Sequence, residues 1–310
     1  MNLQQLRYIC AVERQGLSIS LAAASLHTSQ PGVSKQIHLL EEELGVRIFE
    51  RSGKRLIGVT APGRIILAQA KEVLRDVQNI KQVGTEFTNE ITGSLSIATT
   101  HTQARYTLPK AIKKFTQRYP QVNLHIHQGN PTQIAAMVEQ GEADIGIATE
   151  ALARHQGLVV LPCYQWNRCV VAPPGHPVLK EKPLTLKALA RYPIVTYDFA
   201  FAGRSLINQA FEAKGLKPNI VLTALDSDVI KTYVELGLGV GLLARMAFEP
   251  ARDKNLRMVD AAHLFAASTT YIAVRRGMFL RGYWYAFIEL FAPHLTRAAV
   301  DKALQTPSPL

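Results

Sequence analysis

The chain of 310 residues is long enough for two or three domains, and its 47% of hydrophobic residues can bury a sizeable core. No apolar run approaches the roughly 18 residues that a membrane helix needs, and the N-terminus lacks the pattern of a secretory signal. We therefore expect a cytoplasmic protein. The three cysteines, an odd number without a CxxC pair, argue against a disulfide framework.

The net charge of +11 indicates an anionic partner, either nucleic acid or an anionic ligand. Residues 1–90 hold 11 Lys and Arg against 9 Asp and Glu, so most of the excess lies in residues 91–310. Within the first region, the positive charge is concentrated between Arg47 and Arg64. A run of charge is usually only a solvated face, so the surrounding pattern has to decide its meaning.

Apolar residues at helical spacing predict three helices near the N-terminus. The first covers residues 2–14, Ser18 can cap a short second helix, and the third begins at Thr28 or Ser29 and ends at Gly45. Two short helices joined by a tight turn, the second with polar residues near its start, are typical of the DNA-binding helix-turn-helix. An ordinary three-helix packing unit is the alternative, and the pattern alone leaves the two interpretations nearly even.

Polar and basic residues on the third helix and after it are the candidates for DNA contact. Glutamine can pair with adenine through two hydrogen bonds, and lysine can reach guanine acceptors or phosphate. The later segment "RSGKR" predicts the basic tip of a short hairpin, or wing, that touches phosphates or the minor groove. The predicted DNA-binding residues are Thr28, Ser29, Gln30, Pro31, Ser34, Lys35, Arg51 and Lys54.

The order of these motifs resembles the N-terminal domain of LysR-type transcriptional regulators. The resemblance is carried by Ala23–Gly45, which contains "SQPGVSKQIHLLEEELG", and by Phe49–Gly63, "FERSGKRLIGVTAPG". It implies an all-α winged helix-turn-helix domain at residues 1–60, a long linker helix, and a C-terminal two-lobed α/β effector domain that is Rossmann-like and similar to periplasmic binding proteins. It also implies promoter DNA as a partner, RNA polymerase as a further candidate partner, and no enzymatic activity.

Residues 61–90 contain a predicted long helix with an apolar seam. Its apolar residues alternate at four- and three-residue steps, as in the a/d positions of a coiled coil. The seam consists of Ile66, Ala70, Val73, Val77, Ile80 and Phe87. It can pack on the chain's own winged domain, or it can pair with a second chain and place two recognition helices on an inverted repeat. The family resemblance implies pairing into a homodimer, commonly assembled further into a homotetramer.

Strand and helix patterns alternate in two series through residues 91–298, which predicts an effector domain of two α/β lobes with mostly parallel sheets. We expect lobe I at about residues 91–162 and 269–298, and lobe II at about residues 163–268. The chain should cross between the lobes near residues 158–172 and 264–275. Residues 299–310 are expected to form a disordered C-terminal tail. Such folds bind small ligands at the C-terminal ends of strands, in the crevice between the lobes.

Hydroxyl side chains follow several of these strands at the point where each strand ends. Thr100 and Thr102 follow the first strand, Thr149 ends another, and the segment "YDFAFAGRS" follows a third. Helix capping is the alternative use of a threonine at such a position. Because all three places would face one cleft, the pattern favours a ligand site over capping.

Six segments resemble the subgroup of LysR-type regulators that contains CysB, Cbl and SsuR, and the similarity extends from residue 1 to about residue 298. They are "GSLSIATTHTQARYTLP", "HQGNPTQIA", "IATEAL", "LPCYQWNR", "DVIKTYVELGLGVG" and "FAPHLTR". The resemblance implies control of sulfur-assimilation or organosulfur genes, without a cofactor, by an effector such as sulfate, O-acetylserine, N-acetylserine or adenylyl sulfate. The implied effector site consists of Thr100, Thr102, Gln103, Thr149 and Ala202, and the related proteins often have a threonine at the last of these positions.

Three other interpretations remain open. A regulator of this family could respond to a metabolite that contains no sulfur, and the two-lobed part alone would resemble a solute-binding receptor. An enzyme would need a nucleophile or proton-transfer set, and no such motif is visible.

His125 and His127 share a strand face without a third metal ligand, so we expect core or solvated histidines, and we expect Cys163 and Cys169 to be packing residues.

Overall fold

The structure, a computed structural model, describes residues 1–53, 55–86, 92–198 and 202–306. The chain divides into two compact units, residues 1–88 and residues 89–310. The first unit is helical with one two-stranded hairpin, and the second contains two five-stranded sheets. The predicted fold class, a winged helix-turn-helix with a long helix followed by a two-lobed α/β domain, is confirmed. In the described ranges, no helix is both long enough and apolar enough to span a bilayer.

The first unit forms the predicted helices in the predicted order. Its elements are α1 (Leu3–Arg14), α2 (Ile19–Ser25), α3 (Gln30–Leu44), β1 (Phe49–Ser52), β2 (Arg55–Val59) and α4 (Ala61–Glu86). The hydroxyls of Ser18 and Ser29 cap α2 and α3, each by accepting a backbone N–H at 3.3 Å. Gly45 ends α3 with a positive φ of 65°, a conformation that residues with a Cβ rarely adopt.

The start of α4 lies against the segment that leads into the wing. A Cβ on Gly63 would stand 2.0 Å from the carbonyl oxygen of Ile48, so only glycine permits this approach. The Thr60 hydroxyl accepts the N–H of Gly63 at 2.9 Å and donates to the carbonyl oxygen of Arg47 at 2.5 Å. The T-x-x-G sequence therefore joins the wing to the long helix.

The apolar seam of α4 is divided between two environments. Ala70 is buried, and Ile66 is half-buried against the core of the winged domain. Further along, Val73 and Ile80 are 42% and 71% exposed. The start of the seam therefore packs on its own domain, and the later part presents apolar side chains to the surface. Phe87 lies outside the described residues.

The second unit contains the two lobes. Lobe I has the strands β3 (Gly93–Thr99), β4 (Val122–Gln128), β5 (Ile145–Ala148), β6 (Leu158–Trp166) and β12 (Ser268–Arg275), with the helices α5 (His101–Tyr106), α6 (Leu108–Arg118), α7 (Pro131–Gln140), α11 (Gly282–Phe291) and α12 (Arg297–Gln305). Lobe II has β7 (Arg168–Ala172), β8 (Ile194–Tyr197), β9 (Ile220–Ala224), β10 (Val240–Ala244) and β11 (Arg257–Asp260), with α8 (Leu186–Leu189), α9 (Ala202–Glu212) and α10 (Ser227–Glu235).

Each sheet has two parallel and two antiparallel strand pairings, because a single strand, β12 in lobe I and β7 in lobe II, runs opposite to the other four. The strand orders are β4-β3-β5-β12-β6 in lobe I and β11-β7-β10-β8-β9 in lobe II. The chain passes to lobe II after β6 and returns before β12, as expected. The first crossing comes later than the expected residue 162, because β6 stays paired with β12 as far as Trp166.

The prediction that residues 299–310 form a disordered tail is wrong for most of this segment. Residues 297–305 form α12, and Val300 is fully buried in the core of lobe I. Thr296 caps this helix by accepting the N–H of Ala299 at 3.4 Å. A helix of nine residues has only a short apolar stripe, and the prolines that follow it favoured the prediction of disorder. Residues 307–310 lie outside the described residues.

Candidate DNA-binding surface and effector cleft

The first turn of α3 presents most of the predicted DNA-binding residues to the surface. Thr28, Ser29, Gln30, Pro31 and Lys35 are exposed, and Ser34 is half-buried. Across the described ranges, the Lys35 ammonium takes part in none of the observed ion pairs. This end of the helix therefore offers a cation and an amide without internal partners, which suits contact with base edges and phosphates.

One groove brings the wing to the same end of α3. It is lined by Ser18 and Ser20 at the start of α2, Gln30 of α3 and Arg55 of β2. The sequence placed Arg55 with the other cations of the wing, and the fold sets it beside the start of α3. Lys54, at the tip of the hairpin, lies outside the described residues.

Arg51 has a different environment from the one expected of a phosphate contact. Its Nη2 lies 3.2 Å from Oε2 of Glu41, a carboxylate whose residue is only 7% exposed. The other carboxylate oxygen accepts the backbone N–H groups of Ile48 at 2.9 Å and of Phe49 at 3.2 Å. Glu41 thus fixes the start of the wing. The sequence signal for this role is that Glu41 lies four residues after the buried Ile37, and therefore on the same face of α3.

In the second unit, two predicted effector residues meet at one sheet edge. Thr99 of β3 is in register with Ile147 of the neighbouring parallel β5, so Thr100 and Thr149 emerge side by side. They are only 8% and 9% exposed. Each occupies the N-cap position of a short helix, yet neither side chain makes a capping hydrogen bond. Within the described residues, both hydroxyls lack a hydrogen-bond partner, so capping does not account for them.

Thr102 and Gln103 are engaged inside the protein. The Thr102 hydroxyl lies 3.3 Å from the Ser227 hydroxyl at the start of α10, and so joins the two lobes. The Gln103 amide nitrogen donates to the Thr270 hydroxyl at 3.1 Å, while its oxygen accepts from the hydroxyls of Thr107 and Tyr164. Gln103 therefore holds the site together rather than presenting a free amide.

Ala202 is the remaining predicted effector residue. It begins α9, directly after the end of β8 and the residues that follow it. The surroundings of its side chain lie outside the described residues. The loss of an effector contact, expected because alanine has no hydroxyl, therefore stays a prediction.

A charged cluster that the sequence did not indicate connects the lobes beside this edge. Tyr106 of α5 donates to Asp228 of α10 at 2.5 Å, and Arg105 Nε lies 2.8 Å from the other oxygen of that carboxylate. Lys231 donates to Tyr106 Oη and to Asp253 Oδ1, each at 2.9 Å. Partial burial opposes the charge of Asp228, but hydrogen bonds from Tyr106 and Lys231 lower its pKa.

The cysteines are buried, as expected of packing residues, and His125 and His127 are exposed, which is the solvated alternative of the two expected for them. Cys10, Cys163 and Cys169 are free and buried, and burial raises the pKa of the first thiol to about 11 and of the other two to about 12. His127 Nε2 lies 2.9 Å from the Ser96 hydroxyl. Among the described residues, no group of His, Cys, Asp and Glu could hold a metal ion.

Comparisons with known proteins match both units. The family model described as "Bacterial regulatory helix-turn-helix protein, lysR family" covers residues 3–64, and "LysR substrate binding domain" covers residues 88–296. The chain is 52% identical over 305 residues to the HTH-type transcriptional regulator CysB of Burkholderia cenocepacia, which is 98% of this chain and 97% of that protein. It is equally identical, over the same length, to SsuR of that organism, with 98% and 99% covered.

A solved structure extends the likeness to the effector domain. The cofactor-binding domain of the Cbl transcriptional regulator superposes with a TM-score of 0.68 at 44% sequence identity, over 71% of this chain and 97% of that one. The helix-turn-helix, the two-lobed domain and the near full-length identity all agree. The chain belongs to the LysR family of bacterial helix-turn-helix transcriptional regulators, which are not enzymes.

Proposed function

We propose that this regulator controls genes of sulfur assimilation or organosulfur metabolism in response to a small anionic, sulfur-related effector. The extent of its identity to proteins named CysB and SsuR supports this assignment. In the cytoplasm, α3 and the wing contact promoter DNA, and RNA polymerase is the candidate partner for the transcriptional response. The effector changes the relation of the lobes because it binds one arrangement better than another.

The proposed DNA interface consists of the exposed start of α3 and the cations of the wing. Gln30 contacts a base edge, Lys35 contacts a base or phosphate, and Arg55 contacts the backbone. The exposed apolar side chains Val73 and Ile80 of α4 support pairing with a second copy of the chain into a homodimer, and then a homotetramer.

Replacing Gln30 with alanine should weaken promoter binding by about 1–3 kcal/mol, since a bidentate base contact is worth that much. The measurement is a gel-shift titration of the full chain on a promoter fragment that the unaltered protein binds. Gln78→Ala, an exposed glutamine on α4, is the matched control. Equal affinity of all three proteins would show that this helix end does not contact base edges.

One observation carries the effector proposal: Thr100 and Thr149 are only 8% and 9% exposed, and their hydroxyls lie at one sheet edge without a hydrogen-bond partner in the described residues. Each hydroxyl can donate a hydrogen bond, and an oxyanion can accept from both hydroxyls. The helix α5 has only six residues, so its dipole adds little, and the hydroxyls and backbone N–H groups must provide most of the attraction.

Replacing Thr100 with alanine should lower effector affinity by about tenfold, because the ligand loses a hydrogen bond. The measurement is calorimetric titration of the full chain with sulfate, thiosulfate, O-acetylserine, N-acetylserine and adenylyl sulfate. Thr116→Ala removes an exposed hydroxyl that bonds only to its own helix, and it should bind as the unaltered protein does. Identical binding by Thr100→Ala would place the effector elsewhere.

A further inference from the structure

The helix α5 of lobe I is bonded to both lobes through opposite faces. On one face, the Gln103 amide is held within lobe I by Thr270 and Tyr164. Four side chains at helical spacing on the other face turn toward α10 of lobe II: His101, Thr102, Arg105 and Tyr106. The contact between α5 and α10 therefore joins the two lobes through side chains alone.

Tyr106 belongs to lobe I in the chain, but its ring packs on a core cluster of lobe II. The buried members of this cluster include Val195 of β8, Ile230 of α10 and Leu243 of β10. Tyr106 is itself half-buried, and an aromatic ring that packs in this way removes a large apolar area from water. Separation of α5 from α10 would return that area to water.

The Tyr106 hydroxyl completes a charged network at the same place. Burial raises the pKa of this phenol to about 12, so the hydroxyl keeps its proton and donates to Asp228. It accepts in turn from the Lys231 ammonium at 2.9 Å, and the same ammonium donates to Asp253 at 2.9 Å. Burial opposes the charge of Lys231, but these hydrogen bonds outweigh it and raise the pKa of the ammonium. Both partners of the hydroxyl thus belong to lobe II.

The two segments that cross between the lobes form a separate junction. Arg168, at the start of β7, donates to the Ala266 carbonyl and to the Ser268 hydroxyl on the returning segment, each at 2.9 Å. Its guanidinium also lies over the Trp166 ring, 5.3 Å from the ring centroid. These four residues all belong to the crossings. A rotation of the lobes about the crossings can therefore keep the Arg168 contacts, whereas it has to break those of Tyr106.

We infer that Tyr106 is a latch between the lobes: seated in the lobe II cluster and bonded to Asp228 and Lys231, it holds one arrangement of the lobes, and a second arrangement becomes populated when it leaves this seat. The latch lies within the effector domain and requires no particular effector. Its part in regulation rests on the lobe movement of the proposed function, whereas the latch itself is tested on the protein alone.

The test measures the distance between the lobes in the full chain. Ala298 on α12 of lobe I and Lys187 on α8 of lobe II are exposed, and each is replaced with cysteine and spin-labelled. The three native cysteines are buried, and burial raises the pKa of each thiol, so they should not react with the label. Dilution with an excess of unlabelled chains restricts the measurement to distances within one chain.

Tyr106→Ala should add a second population to the distribution of label distances, displaced by more than about 2 Å, as in a domain rearrangement. Tyr106→Phe keeps the ring and loses only the bonds to Asp228 and Lys231, so its second population should be smaller. Tyr119→Ala is the matched control, because Tyr119 is also half-buried but packs within lobe I, with its ring centroid 5.1 Å from that of Phe115. This control should leave the distribution unchanged.

Two results would overturn the inference. An unchanged distribution in Tyr106→Ala would show that the lobes keep their arrangement without the latch. An equal displacement in Tyr119→Ala would show general loosening of the domain rather than release of one contact. If Tyr106→Ala does not fold, Tyr106→Phe decides, since an unchanged distribution there would contradict the role of Asp228 and Lys231. Each of these results leaves the proposed effector site as it stands, because no effector is added.

Discussion

Replacing Lys231 with alanine should lower the free energy of unfolding by about 3–5 kcal/mol, as expected when one partner of a buried ion pair is removed. The Lys231 and Asp253 side chains are only 9% and 10% exposed. Without the ammonium, the Asp253 carboxylate stays buried with its charge uncompensated. Tyr106 Oη and the Ala247 carbonyl also lose a donor, because Lys231 reaches them at 2.9 and 3.1 Å.

Urea unfolding of the full chain, followed through the transition of the second unit, measures this loss. Lys71→Ala is the matched control, since Lys71 pairs with Glu13 at 2.7 Å but is 55% exposed, and it should cost less than about 1 kcal/mol. Combining Lys231→Met with Asp253→Leu should restore part of the stability, because no buried charge is then left alone. A loss from Lys231→Ala as small as that from Lys71→Ala would contradict the argument.

The same cluster should give the domain a characteristic response to acid. The folded-state pKa of Asp228 is lowered, so its contribution to stability is fully present above the unfolded-state pKa and is lost as the pH falls through the folded-state value. Because Tyr106 and Asp228 belong to different lobes, protonation also weakens a link between the lobes. In Lys231→Ala, the acid-dependent part of the stability should be smaller.

The elements that the sequence predicted well are those whose signals are local. Ser18, Ser29 and Gly45 mark helix ends through hydrogen bonds and backbone angles within a few residues, so their roles could be stated without knowledge of the fold. The grouping of Thr100 with Thr149 needed only the rule that parallel strands end at one edge.

The features that were missed depend on contacts between distant segments. Gln103 is bonded to Thr270, which is 167 residues away, and nothing near Gln103 in the chain indicates that its amide is already occupied. The Tyr106–Asp228 bond likewise joins residues separated by 122 positions. Local pattern placed the site at the correct edge, but it could not distinguish the hydroxyls that are free from the groups that are engaged.

Glu41 is the clearest example in the first unit, because it stands in an acidic run with Glu42 and Glu43 that looks like a solvated face. Replacing Glu41 with alanine removes the acceptor of two buried N–H groups, those of Ile48 and Phe49. Leaving both without a partner should cost about 2–4 kcal/mol of stability. The variant should also bind promoter DNA more weakly, because the wing loses its attachment to α3. This loss of affinity should be larger than the fraction of unfolded protein accounts for.

Stability of Glu41→Ala is measured by urea unfolding and promoter affinity by gel shift, both with the full chain. Glu42→Ala serves as the control, because that neighbouring carboxylate is 59% exposed and, among the described residues, pairs with His38 alone, so it should cost less than about 1 kcal/mol. Glu41→Gln retains one acceptor oxygen but not the charge that holds Arg51, and it should therefore fall between the two. If Glu41→Ala and Glu42→Ala behave alike in both measurements, the wing is held by the Thr60 and Gly63 contacts alone, and Arg51 is free to contact phosphate as the sequence first indicated.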